Sequence, residues 1–369
     1  MNIMITGAKG FMGKNLRAAL LCRREDEVLD VDQQTDPLEM DEYCRKADFV
    51  FHLAGVNRPL EEIEFMKGNR DFTAMLLESL KKHGNRCPVM LSSSIQAALD
   101  NPYGQSKRAA EELLFHYGEE TGASVLVYRF PNVFGKWSRP DYNSVVATYC
   151  HLAARGMPLR VDDPEAVLKL VYIDDLIEEL LRGLDGRPAR TGRFCEVPVT
   201  YTAALGMLAD RIVSFRANRT DLNLPDLGDP LTKKLYSTYL TYLPEEGFSY
   251  PLPMKADDRG TFTEFIKTPD RGQVSVNIIR PGIVKGNHWH QSKNEKFLVV
   301  RGEGVIRLRR IDAGEILSYP VWGDRLEVVD IPPGFTHQIE NLGDEDLIAI
   351  MWANEAFDPD CPDTFFMEV

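Results

Sequence analysis

The stretch GNHWHQSKNEKF places His288 and His290 two residues apart, on either side of Trp289, so that on a strand both imidazoles face one side. Glu295 follows across a short turn, and PPGFTH supplies a third imidazole at His337. Three imidazoles and one carboxylate suit a borderline divalent metal, zinc most commonly, with iron, nickel and manganese as alternatives. Far upstream, Tyr103 and Lys107 in NPYGQSK are four residues apart and share a helix face. A free phenol titrates near about 10, and an ammonium beside it favours the phenolate. Such a phenol can give a proton to a carbonyl under reduction or take one from an alcohol under oxidation. The run Leu91-Ser92-Ser93-Ser94 precedes it, and a hydroxyl there, Ser94 by preference over Ser93, can hydrogen-bond the same substrate oxygen. A third group, Thr6-Gly7-Ala-Lys-Gly10-Phe11-Met12-Gly13, has the spacing of a dinucleotide loop. Its glycines allow a tight turn, close approach of backbone to pyrophosphate, and close helix–strand packing.

Elements of matching kind surround these groups. Up to about residue 200, NIMITG, EVLDV, DFVFHLAG, PVMLSSS and SVLVYRF read as buried strands. Segments with helical spacing, such as GKNLRAALLCRR and RDFTAMLLESLKKHG, lie between them. This alternation predicts a doubly wound parallel sheet, a Rossmann-type domain over residues 1–245. The segment from about 218 to 256 is rich in Pro, Tyr and Leu, lacks a clear period and holds the domain junction. Beyond it, closely spaced short strands without a long helical period predict an all-β barrel or sandwich over residues 252–369.

The bulk numbers set limits. A chain of 369 residues suggests two domains. A net charge of −13 with no dense Lys/Arg run argues against nucleic acid as a partner. No apolar window is long enough to span a membrane. The glycine loop begins too early to follow a cleavable leader, and six scattered cysteines without CxxC spacing fit reduced thiols in a cytoplasmic protein. Asp32, about 20 residues past the glycine loop, is placed to bind a ribose 2′-OH and to repel a 2′-phosphate, which favours NAD on the residues alone.

The TGxxGxxG loop, HLAG at 52–55, the serine run, YxxxK, YRFPNVFG at 128–135 and VYIDD at 171–175 together resemble the extended short-chain dehydrogenase/reductase family over roughly residues 1–200. The resemblance implies a catalytic trio of Ser94, Tyr103 and Lys107, with Arg129 and Asn132 near the substrate. It also implies a cofactor site formed by Thr6, Gly7, Gly10, Phe11, Met12, Gly13, Asp32, Leu53, Ala54 and Gly55, with Lys107 on the nicotinamide ribose. Only eight residues separate Ser94 from Tyr103, where many members carry a longer loop. The C-terminal part resembles the cupins, jelly-roll barrels. The first motif runs from Gly282 through His288, His290 and Glu295 to Gly302, and the second through Pro332, Gly334, His337 and Asn341. DDRGTFTE at 257–264 is similar to the entry segment of cupin-type deoxysugar 3,5-epimerases, which usually work without metal.

End to end, SSSIQA, SVLVYRFPNVFGKW, LYSTYL, FTEFIKTPDRGQVSVN, KGNHWH and FDPDCPDTFF resemble the bifunctional nucleotide-sugar enzymes of capsule biosynthesis. That resemblance implies C3 epimerisation of UDP-2-acetamido-2,6-dideoxy-4-hexulose in the cupin domain. Reduction of C4 with NADPH in the first domain would follow and give UDP-2-acetamido-2,6-dideoxy-L-talose. It implies NADP(H), zinc and a homodimer. Glu264, Lys296 and a metal-activated water are the candidates for moving the C3 proton. Two rival readings stay open: a cupin that serves only to dimerise an NAD(P)-dependent enzyme, and a non-catalytic NADP sensor.

Overall fold

A computed structural model describes residues 1–23 and 26–369 of the chain. Its contacts group into two units, one of residues 1–213 with 234–243 and one of residues 214–233 with 244–369.

The first unit is built on β1 (Asn2–Thr6), α1 (Phe11–Leu20), β2 (Glu27–Val31), β3 (Phe49–His52), α2 (Phe72–Lys82), β4 (Val89–Ser94), α3 (Pro102–Thr121) and β5 (Val125–Phe130). The strands are near-continuous apolar runs because both faces of the sheet are covered. Ile3, Ile5, Phe49 and Phe51 pack with Leu16 and Leu20 of α1, and Met4, Val50 and Val89 pack with Leu76, Leu77 and Leu80 of α2. The sheet runs β2-β1-β3-β4-β5, all parallel, and ends in a short hairpin, Arg190–Thr191 with Phe194–Cys195. The order reverses between β1 and β3, so a crevice opens at their carboxyl ends, where the glycine loop, Gly55 and the serine run all emerge. Asn101 caps α3, accepting from Gly104 N at 2.8 Å, and Pro102 opens its first turn. Tyr103 and Lys107 therefore lie in the first two turns of a well-anchored helix.

The second unit holds β6 (Lys255–Asp257), β7 (Gly260–Thr268), β8 (Gly272–Ile279), β9 (Val284–Trp289), β10 (Glu295–Arg301), β11 (Glu303–Arg310), β12 (Ile316–Trp322), β13 (Val328–Ile331), β14 (Phe335–Asn341), β15 (Leu347–Ala353) and β16 (Phe365–Phe366). They form two antiparallel sheets, ordered β6-β7-β8-β15-β10-β13 and β12-β11-β14-β9-β16, the jelly-roll arrangement expected. Phe297, Val299, Ile306, Leu308, Ile339 and Ala349 fill the space between them. Residues 214–233 lie within the range that the sequence reading assigned to the first domain. Instead they contact this unit: Asn223 bridges Lys267, and Leu224 N donates to Lys267 O at 2.8 Å. The cause is non-local backbone pairing, which composition does not register.

Candidate active site and metal centre

A cleft of about 630 Å³ opens at the carboxyl ends of the parallel strands, a size that suits a cofactor with its substrate. Gly7, Gly10, Phe11, Met12, Gly13, Leu53, Gly55, Ser92, Ser93, Ser94, Tyr103 and Asn132 all line it. Gly7 has φ +74°, and a Cβ there would meet Ala54 N at 2.8 Å; one on Gly13 would meet Gly7 O at 2.2 Å. Because Gly10, which precedes α1, offers no side-chain cap, the N–H groups of the helix's first turn remain available to an anion. The residues present therefore fit a dinucleotide pyrophosphate.

Not every expected cofactor residue faces the cleft. Thr6 is fully buried behind it and ties β1 to β3: its Oγ1 lies 2.7 Å from His52 Nδ1 and accepts from Ala54 N at 3.2 Å. Ala54 likewise supplies backbone at the loop's rear. Asp32 follows β2 and forms a turn with Gln34, whose N–H it accepts at 2.8 Å. Lys9, a cleft residue on the glycine loop, reaches the Asp32 carboxylate at 2.5 Å. Lys9, with help from the Gln34 amide, holds the Asp32 carboxyl below the ordinary range.

Tyr103 stands at the cleft wall, its phenol raised above the usual value by burial against the opposing hydrogen bond of Ser94. Lys107 is buried beneath it, with Nζ 5.9 Å from the Tyr103 ring centroid and donating to Ser92 O at 3.0 Å. Burial pushes its ammonium down to about 8, with Glu111 opposing. Gly55 is what admits this ammonium, since a Cβ on it would lie 2.8 Å from both Lys107 Nζ and Asn69 Oδ1. Asn69 belongs to no motif in the sequence. It sits on a π-helical turn, Met66–Asp71, with its amide bonded to both the N–H and the C=O of Val56 and to Ser106 Oγ. The one available signal was its position before α2, where no periodic pattern marks a π turn.

Arg129, expected near the substrate, is engaged within the protein. Its guanidinium forks onto buried Glu111, with NH2 donating to Oε2 at 2.6 Å and Nε to Oε1 at 2.9 Å, and lies over the Phe194 ring. The same carboxylate accepts from Ser93. Arg129 thus braces β4, β5 and α3, while Asn132, three residues on, lines the cleft and donates to Lys169 O at 3.1 Å.

In the second unit His288, His290, Glu295 and His337 converge, and one donor atom from each lies within 4.8 Å of the others. β9 carries His288, His290 follows just past its last residue, β10 opens with Glu295, and β14 pairs His337 with His288. His290 Nε2, His337 Nε2 and Glu295 Oε2 are buried without an aligned hydrogen-bond partner, although Glu295 Oε2 lies 3.1 Å from His337 Nε2 and 3.6 Å from His290 Nε2. Orphaned, converging imidazole and carboxylate donors of this kind fit a divalent cation such as zinc. Burial and the neighbouring His337 push His288 down to about 4, so this imidazole is neutral and free to ligate. Burial opposes ionisation of Glu295, yet His290 and His337 hold its carboxyl well below the ordinary range.

This cluster lies in the wall of a cavity of about 570 Å³. Glu264 faces the cavity, held between Lys255 at 3.4 Å and Lys267 at 3.2 Å. Lys296 does not: it is paired with Asp330 and half-exposed on the outer side. Lys285 also lines the cavity, beside Lys255 and Lys293; it donates to Asn277 Oδ1 at 2.8 Å and Ile278 O at 3.1 Å and is lowered by burial.

Comparison with known proteins bears on both units. Residues 3–191 match the NAD dependent epimerase/dehydratase family and residues 255–365 the polysaccharide biosynthesis C-terminal domain. The capsular polysaccharide assembling protein CapF from Staphylococcus aureus is 53% identical, with a TM-score of 0.94 and full coverage of both chains. The chain belongs to the CapF family. A Pseudomonas aeruginosa relative, UDP-2-acetamido-2,6-beta-L-arabino-hexul-4-ose reductase, is 44% identical over 100% of this chain and 99% of its own. A UDP-glucuronic acid 4-epimerase from Bacillus cereus, in complex with NAD, shares the fold of the first unit. It has 18% identity and a TM-score of 0.54, over 66% of this chain and 98% of its own. Among the described residues no helix is long and apolar enough to cross a membrane.

Proposed function

We propose that this CapF-family chain is a bifunctional UDP-sugar enzyme of capsule biosynthesis. On this reading its second unit epimerises C3 of UDP-2-acetamido-2,6-dideoxy-4-hexulose, and its first unit reduces the C4 ketone to UDP-2-acetamido-2,6-dideoxy-L-talose. The observation that carries the reading is that one chain holds both the Ser94–Tyr103–Lys107 group at a dinucleotide cleft and a His₃Glu cluster in the wall of a second cavity. The P. aeruginosa relative, matched over its whole length, is named for reduction of such a ketone.

In the first unit, a nicotinamide held along the glycine loop supplies the hydride. Tyr103, protonated at neutral pH because burial raises its phenol, donates the proton to the C4 oxygen, and Ser94 orients that oxygen. Lys107 sits beneath the phenol, where its ammonium favours the negative charge that Tyr103 acquires on giving up its proton. Asn132 faces the bound sugar. Lys9, with Lys14 and Arg17 beside it, supports NADPH over NADH: its ammonium already engages the ribose-end carboxylate Asp32, and a 2′-phosphate would take over that contact.

In the second unit, a divalent metal, zinc by preference, held by His288, His290, Glu295 and His337 supplies Lewis-acid polarisation of the ketone. Among the groups that line the cavity, Glu264 as carboxylate base and Lys285 as half-buried ammonium are the candidates for moving the C3 proton. Epimerisation comes first because the C3 proton is acidic only while C4 is a ketone. Two copies pair in this proposal, with the edge strand β12, whose Ile316, Leu317 and Tyr319 are exposed, as the candidate seam. The test of the reductase assignment is Tyr103→Phe with the 4-keto sugar and NADPH. Nicotinamide oxidation should fall by about 10²–10⁴-fold, the usual worth of a positioned proton donor; an unchanged rate would remove the first unit's assigned chemistry.

A further inference from the structure

The last residues of the chain are built onto the metal cluster. β16 pairs with β9 at His288↔Phe366 and Trp289↔Phe365, and the Trp289 and Phe365 rings stack with centroids 4.9 Å apart. Further on, Met367 N donates to Asn287 O at 3.0 Å, Thr336 Oγ1 donates to Met367 O, and Arg309 donates to Glu368 O at 2.6 Å. The tail also walls the cavity with Phe357 and Thr364, and Phe357 N donates to buried Gln273 Oε1 at 3.0 Å.

Asp363 makes the closest link. Its backbone carbonyl bonds the Nδ1 of His290. Its carboxylate accepts from Gln291 N at 2.9 Å, Ser292 N at 3.0 Å, Lys293 N at 3.0 Å and Ser292 Oγ at 3.1 Å. Those three amides are the loop that joins His290 to Glu295. Lys293, itself 5% exposed, completes the clasp by donating Nζ to Pro362 O at 3.0 Å. One residue therefore controls both variables that a metal site needs here. The carbonyl sets the tautomer and ring angle of His290, leaving Nε2 bare toward Glu295, and the carboxylate fixes the loop that spaces two ligands.

We propose that Asp363 is a positioning residue for the metal ligands, and that through it docking of the C-terminal tail and occupancy of the His₃Glu cluster are linked: each tightens the other. Reciprocity is required once the tail favours the metal-binding arrangement of His290 and Glu295. The inference depends on the four-residue cluster holding a metal, not on which reaction the unit performs.

The test uses the full-length protein with Zn²⁺ alone as the probe, titrated against a chelating dye. Asp363→Ala keeps the backbone carbonyl on His290 but releases the 291–293 loop that spaces two ligands; it should weaken Zn²⁺ by about 10–100-fold, the usual loss when outer support of a metal site is removed, and should change the visible absorption of the Co²⁺-substituted protein. A residue that only stabilised the fold would lower the melting temperature of the metal-free protein and leave affinity and Co²⁺ spectrum unmoved. A wild-type measurement decides the matter if the variant does not fold: Zn²⁺ should slow hydrogen exchange at the amides of 291–293 and of Met367. Zn²⁺ affinity of Asp363→Ala within twofold of wild type would overturn the proposal. So would tail amides indifferent to Zn²⁺, or a wild-type protein that takes up none.

Discussion

The ion pair between Arg129 and Glu111 offers a sharp separation of structure from substrate binding. Glu111 Oε2 is forked by Arg129 while Oε1 also accepts from Ser93, and the carboxylate side chain is 3% exposed against 29% for the arginine. Replacing Arg129 by Met removes the cation and leaves that carboxylate buried with a single hydroxyl donor. Breaking a buried pair in this way costs about 3–5 kcal/mol, and the partial exposure of the arginine argues for the lower end, about 3 kcal/mol. For a unit of this size each kcal/mol lowers the melting temperature by about 2–4 °C, so the first unit should melt about 6–12 °C lower. The double variant Arg129→Met/Glu111→Leu should recover much of the loss, since an apolar pair of similar volume is tolerated where a lone charge is not. Thermal unfolding followed by near-ultraviolet circular dichroism reads the stability, and steady-state kinetics of the folded enzyme below its transition reads KM for the UDP-sugar, expected unchanged. A variant of wild-type stability whose KM rises tenfold would refute the reasoning and return Arg129 to the substrate.

Two further outcomes follow from the cleft. Lys107 is lowered to about 8 from 10.5 by burial, so its ammonium is complete below that pH. The reductase kcat/KM should fall as pH rises through about 8, and a pH profile without that basic limb would contradict the role given to Lys107. The sign for stability is the reverse: between about 8 and 10.5 the unfolded chain binds more protons than the folded one, so this group's contribution makes the metal-free, nicotinamide-free protein more stable as pH rises there. Lys9→Met should raise KM for NADPH by on the order of tenfold, the lower end (~1.5 kcal/mol) for one charged contact to a phosphate because the lysine is exposed, and leave KM for NADH nearly constant; equal effects on both cofactors would count against a 2′-phosphate at Lys9.

Much of this architecture was readable because its causes are local. The runs IMIT, FVFH and VMLSS carry no polar alternation, as strands covered on both faces must, and Gly7 and Gly13 mark places where a Cβ would strike backbone. The four candidate ligands were legible from spacing alone because β9 and the pairing of His337 with His288 follow from strand alternation and register. What escaped depended on partners far away in sequence. Glu111 looks like a solvated helix residue until β5 brings Arg129 to it. Lys296 follows Glu295 on β10, so strand alternation turns it away from the ligand face and toward Asp330, whereas Lys285 on β9 faces the cavity. Asp363 lies 68 residues beyond Glu295 and shares no motif with it. Residues 214–233 join the second unit through backbone pairing with Lys267, which leaves no mark on composition.

The central claim, that one chain carries an epimerase and a reductase as separate chemistries, is tested most directly by deuterium entry into the sugar. The 4-keto UDP-sugar is incubated in D₂O without nicotinamide, with wild type, Tyr103→Phe and His290→Ala, and C3 is followed by NMR. The expected result is exchange at C3 in wild type and in Tyr103→Phe, and its loss in His290→Ala. No exchange at C3 in wild-type protein that still oxidises NADPH with the same substrate would contradict the account and leave a reductase whose His₃Glu cavity has no part in the reaction.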